Sequence, residues 1–176
     1  MSTTGEIRGC TLHRPWPGAF LLPERTIPGD TAQVLRPKRV ENRDWYPKWA
    51  CRPMSEGTAV ARPGIYLALH AGLQVDDRAL VEVWRWGWPE LRRGEASVIV
   101  AVCRLARVLD CDMGFNHPLI RAHRPWAMGR YLWEVDQVAA LPEPVACKGA
   151  QGLWPLPPEV LARVRMQWAA ATTRGE

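Results

Sequence analysis

The chain has no apolar run approaching the roughly 20 residues that span a bilayer as a helix, so no membrane partner is expected. It has no G-x-x-x-x-G-K-[ST] segment and no G-x-S-x-G elbow. These absences argue against a P-loop nucleotide hydrolase and a serine hydrolase of the elbow type. Met1 to Gly9 is short and polar and carries no secretory h-region. Cysteines are few and odd in number: Cys10, Cys51, Cys103, Cys111 and Cys147, with no C-x-x-C pair. Reduced thiols in a cytoplasmic protein are the expectation, not a disulfide framework. His117 and His123 have no cysteine pair at ligand spacing, so no metal and no cofactor is expected.

What is present fits a single domain over residues 1–176. Hydrophobic residues make up 47%, enough for a core that stands without staples, and the 23% charged share argues against disorder. The net charge of +5 tilts toward a polyanionic partner, although a mildly basic protein needs none. Ten tryptophans stand out. Most must pack in the core, yet a basic chain rich in flat rings holds both ingredients of base recognition: charge for phosphate and π-faces for stacking.

Along the chain, Gly9–Leu12 reads as a strand running into the proline-bracketed corner Arg14-Pro15-Trp16-Pro17, and Gly18–Leu22 as one helical turn. Residues 23–37 and 46–63 are rich in proline and charge and are expected to be loop insertions. Between them, Lys38–Trp45 alternates as a strand. Gly64–His70 is a central strand. Asp76-Asp77 opens a helix carrying Leu80, Val81, Trp84 and Trp88, closed by Pro89. Ala96–Leu109 is expected as a strand buried on both faces, His117–His123 as a short helix, and Tyr131–Val138 and Pro144–Cys147 as two strands. Lys148–Trp154 reads as a glycine-bracketed loop. Pro157-Pro158 starts a C-terminal helix over 158–170, lined by Val160, Leu161, Val164 and Trp168. Five or six strands with two or three helices, and no βαβ alternation, predict an α+β fold: a small mixed β-barrel with flanking helices.

Four segments, in order, resemble the ASCH family of the PUA-like superfamily. His13-Arg14-Pro15-Trp16 is similar to its Q-P-W corner. Lys38-Arg39-Val40-Glu41-Asn42-Arg43 matches its G-x-K-x-x-E-x-R signature, with Arg36 in place of the glycine. Gly64-Ile65-Tyr66-Leu67-Ala68-Leu69-His70-Ala71 is like its G-x-(apolar)-x-I-H-A strand. Pro144-Val145-Ala146-Cys147-Lys148-Gly149-Ala150-Gln151-Gly152-Leu153-Trp154 is close to its P-V-x-x-(basic)-G-x-x-G-L-W segment. The resemblance implies a PUA-like barrel with a cleft, and a role in nucleic-acid binding, with RNA ahead of DNA. It also implies an alternative: an enzyme in the same cleft, a ribonuclease or a nucleoside amidohydrolase. The deacylating branch carries a threonine three positions after the signature lysine. Here that position is Glu41, so the hydroxyl nucleophile is missing.

The candidate site centres on Lys38, Glu41 and Arg43. On a strand, Glu41 and Arg43 share a face, and one bulge brings Lys38 to them. A carboxylate between two cations suits a base edge beside a phosphate, or acid–base work by Lys38 and Glu41. It equally suits an ion-pair network that ties the insertion to the barrel. Trp16 offers a stacking wall or a rigid corner. Lys148 and Gln151 sit on a loop whose glycines let backbone approach a ligand. His70 at a strand end, and Arg130 and Tyr131 where a loop enters a strand, are further nucleic-acid-binding candidates. Oligomeric state is left open. The geometric expectation is that Lys38, Glu41, Arg43 and Lys148 converge on one cleft.

Overall fold

Ile65–Val75 is apolar at nearly every position and lies buried on both faces for most of its length, the pattern of a central strand. The rest of the molecule is organised around it. The computed structural model describes residues 5–27 and 30–173. Its strands are β1 (Glu6–Arg14), β2 (Arg25–Ile27), β3 (Asp30–Leu35), β4 (Val40–Arg43), β5 (Thr58–Val60), β6 (Ile65–Val75), β7 (Val98–Asp110), β8 (Tyr131–Ala146) and β9 (Leu153–Pro155). The helices are α1 (Trp16–Ala19), α2 (Asp77–Arg85), α3 (Pro118–Arg121) and α4 (Pro158–Thr173).

The fold is α+β. Seven strands form one sheet in the order β4-β8-β7-β6-β1-β9, with β5 added alongside β7, while β2 and β3 form a separate hairpin. β1 pairs with β6 in parallel, and every other strand pairing among the described residues is antiparallel. Among the described residues no ladder joins β4 to the far edge, so backbone pairing leaves the sheet open. At that far edge β9 pairs with β1 only at Arg8, Gly9 and Cys10.

Alternation along β6 divides the core. Leu67 and Leu69 face a cluster with Cys10, Leu12, Cys103 and Trp133 on the concave side. Tyr66 and Ala68 face Val160, Val164 and Trp168 of α4 on the other. A third cluster, built on Trp88, Trp126, Val40 and Leu132, seats α1, α2 and α3.

Several expectations need correction. Residues 23–37 hold the β2–β3 hairpin, and residues 46–63 hold β5 plus a bridge from Cys51 to Ala61. Proline-rich composition hides strands this short. Among the described residues the strands therefore number nine, not five or six. Tyr131–Val138 and Pro144–Cys147 are not separate strands: both fall in β8, apart from Cys147 just past its end, and β8 stays paired to β7 through three register shifts. On α2 the buried residues are Ala79, Leu80 and Val83, whereas Val81 and Trp84 are exposed. That helix ends at Arg85, short of Pro89. Asp76 caps its start, accepting from Ala79 N at 3.0 Å. Among the described residues no helix is long and apolar enough to cross a membrane.

Candidate functional site: a charged pocket at the open seam

Among the described residues Lys38 is the most deeply buried charged side chain, 1% exposed. Its backbone N–H donates to Ala19 O at 3.1 Å, which docks the residue on the end of α1. Its ammonium lies 4.5 Å from the Phe20 ring centre and 5.6 Å from that of Trp16. Burial pushes the ammonium below its usual range, and the Glu41 carboxylate opposes that shift. The two groups meet at 2.5 Å, Nζ donating to Glu41 Oε2.

Glu41 and Arg43 lie two apart on β4 and so share its inner face, opposite Trp133 and Tyr131 of β8 in register. Arg43 Nη2 stands 3.4 Å from Glu41 Oε1, completing a run of cation, carboxylate and cation. The same Nη2 donates to Thr11 O at 3.0 Å and to Cys10 Sγ at 3.2 Å. Arg43 thus crosses from β4 to β1 just beyond the point where β9 stops. A side chain spans the gap where no ladder runs. Burial raises the pKa of the Cys10 thiol even with the Arg43 charge beside it.

A pocket of about 350 Å³ opens at this seam, lined by Thr11, Leu12 and His13 of β1, Trp16 of α1, Lys38, Glu41, Asn42 and Arg43, with Asp76 and Met128. Its size is at the lower end of small-ligand sites. The floor has two cations against one carboxylate, and Asp76 on its wall is committed to capping α2.

Asn42, Thr11, His13, Asp76 and Met128 were not foreseen. Asn42 lies inside the K-x-x-E-x-R motif, but its side chain serves another segment. Its Oδ1 accepts from Met128 N and Gly129 N, both at 2.9 Å, and its Nδ2 donates to Trp126 O at 3.0 Å. Gly129 passes so close that an added Cβ would sit 2.7 Å from the Asn42 Cβ. The half-exposed Met128 is held at the pocket wall by these bonds.

The remaining expected residues lie elsewhere. Lys148 and Gln151 are exposed and do not line the pocket, so Lys148 does not converge on it with the other three. Their loop is set against β1 and β6: a Cβ on Gly149 would fall 2.4 Å from the His70 ring and 2.8 Å from Thr11 Oγ1. Gly149 therefore serves packing against protein, where a ligand contact was expected. His70 is buried, its Nε2 donates to Cys147 O at 2.9 Å, and Trp154 meets its ring edge-on. Trp154 in turn donates to Thr11 Oγ1 at 3.1 Å. Arg130 is tied to Asp110 and Asp112 and lies over the Tyr131 ring, away from the pocket lining. Among the described residues no group of His, Cys, Asp and Glu is arranged to hold a metal ion.

Neither a protein-family model nor a curated protein matches the chain.

Proposed function

We propose that this chain is a nucleic-acid-binding module of the ASCH type, its curled sheet a PUA-like barrel left open where the pocket forms. The pocket takes a base, with RNA preferred over DNA on the strength of the sequence resemblance. One observation carries the reading. Lys38, Glu41 and Arg43, the residues of the signature-like motif, meet Trp16 in a single concavity of about 350 Å³. A carboxylate that accepts and cations that donate, side by side beneath an indole wall, complement the edge and face of a planar heterocycle.

Binding is favoured over hydrolysis because the nucleophile candidates are not activated. The Thr11 hydroxyl receives the Trp154 N–H, and burial holds the Cys10 thiol in its neutral form. The test is binding of a labelled single-stranded RNA of about ten nucleotides, followed by fluorescence anisotropy across a salt series. Affinity is expected to fall steeply as salt rises, and Arg43→Gln to weaken it about tenfold, as for loss of a charge-assisted bond. Absent or salt-independent binding removes the proposal. Release of cleaved RNA, or of an acyl group from an N-acylated cytidine, would move the assignment to the hydrolase.

A further inference from the structure

We propose a second contact for the nucleic-acid strand, away from the pocket, centred on the exposed indole of Trp49. It rests on the nucleic-acid reading above and extends the footprint beyond one base.

Trp49 is 40% exposed, although an indole gains much by burial. It is held in place by polar groups. The Arg8 guanidinium lies over its ring, 5.4 Å from the centre, and Glu6 fixes Arg8 at 2.6 Å. Trp84 is comparably exposed, but its N–H is tied to Leu91 O at 3.0 Å. Among the described residues the Trp49 N–H makes no hydrogen bond. A flat ring fixed in orientation, with free hydrogen-bonding capacity, is a stacking platform that needs no ordering when it binds.

The surroundings supply the charge. Arg62 N donates to Ala50 O at 2.8 Å and Arg52 N to Val60 O at 2.9 Å, flanking the Cys51–Ala61 bridge. These contacts lay two arms of the 46–63 segment side by side, so that Lys48, Arg52 and Arg62 share one short stretch of chain with Trp49. All three cations are exposed, and among the described residues none forms an ion pair. Arg25, Arg93, Arg104, Arg107 and Arg130 are each matched to a carboxylate, while Arg78, Arg85 and Lys148 are exposed without one among the described residues; what sets Lys48, Arg52 and Arg62 apart is that they share a short segment with an exposed indole. Glu56 lies at the turn beyond and pairs with none of the three. Unmatched cations flanking an exposed indole suit successive phosphates with a base stacked between them.

The two sites lie on a common strand. Arg8 and the pocket residue Leu12 both belong to β1, about 13 Å apart at about 3.3 Å per residue. At a separation of that order a single strand of a few nucleotides is long enough to touch both sites.

The experiment uses the whole chain and labelled single strands of about ten nucleotides, one RNA and one DNA, with a duplex of the same length as control. Trp49→Ala is expected to weaken single-strand binding about tenfold and to leave duplex binding unchanged. The exposed triple change Lys48→Glu, Arg52→Glu, Arg62→Glu is expected to flatten the salt dependence, and it keeps the test open if the tryptophan variant misfolds. Uridine monophosphate, too short to reach both sites, should bind both variants like the parent but lose affinity with Arg43→Gln. If Arg43→Gln leaves oligonucleotide binding intact while Trp49→Ala weakens it, the pocket reading falls and this contact stands. Unchanged affinity and salt slope in both surface variants overturn it, as does a parent chain that binds neither single strand.

Discussion

Lys38 and Glu41 are each other's nearest opposite charge, but they do not depend on each other equally. Removing the lysine charge leaves Glu41 with Arg43 at 3.4 Å. Removing the carboxylate charge leaves an ammonium, 1% exposed, with the rings of Phe20 and Trp16 and at most an amide oxygen, but no anion. An uncompensated buried charge costs about 3–5 kcal/mol, while an apolar replacement of similar shape is often close to neutral. Glu41→Gln is therefore expected to lose about 3 kcal/mol and Lys38→Met about 1 kcal/mol, read from urea unfolding midpoints at constant slope. Equal losses would mean that Arg43 carries none of the compensation. The motif was legible in the sequence through its resemblance to the ASCH signature and because alternation puts Glu41 and Arg43 on one face of a strand. Its inclusion of Asn42 as a positioning residue was not, since alternation sends that side chain to the other face of β4, where its partners at 126–129 lie far away in the chain.

The segment at 147–149 is an element held down by a histidine. His70 Nε2 spends its proton on Cys147 O, and Nδ1 is buried without a partner, facing the place where Gly149 passes. Burial depresses the His70 pKa below 6.5, and the bond to Cys147 only partly offsets this. With the folded value below the unfolded one, the unfolded chain binds more protons between the two. The contribution of His70 to stability is thus complete above 6.5 and is lost as pH falls through the depressed folded value. Melting temperature is expected to drop on acidification below about pH 6.5, with a shallower drop in His70→Gln. Parallel curves for the two proteins would take His70 out of the account. Elements with a signal of their own, the long apolar runs of β6 and β7 and the one-sided apolar face of α4, were readable in advance. β5 and the β2–β3 hairpin were not, because strands of three to six residues at an edge gain their order from a partner and not from their own pattern. The docking of Lys148 was hidden for the same reason. A glycine loop looks the same whether it approaches a ligand or, as here, a neighbouring imidazole.

At the scale of the whole molecule, pairing runs through the sheet from β4 to β9 and then stops. β8 flanks β4 on one side, and on the other stands Arg43, reaching across to Thr11 O. Replacing Arg43 by glutamine should consequently speed amide exchange in Val40–Arg43 and leave the interior of β6 untouched. Hydrogen exchange followed by mass spectrometry would show it. Uniform protection across β4 would mean that β8 alone holds that edge. The distinction matters for how the binding cleft responds to load. A laddered wall is stiff, because widening it breaks many bonds together, whereas a wall bridged by one long side chain is compliant at that point and rigid everywhere else. At Thr11 the width of the cleft therefore follows the reach of the Arg43 guanidinium, while a turn away Lys38 N and Arg39, bonded to Ala19 O and Phe20 O, hold the wall to α1.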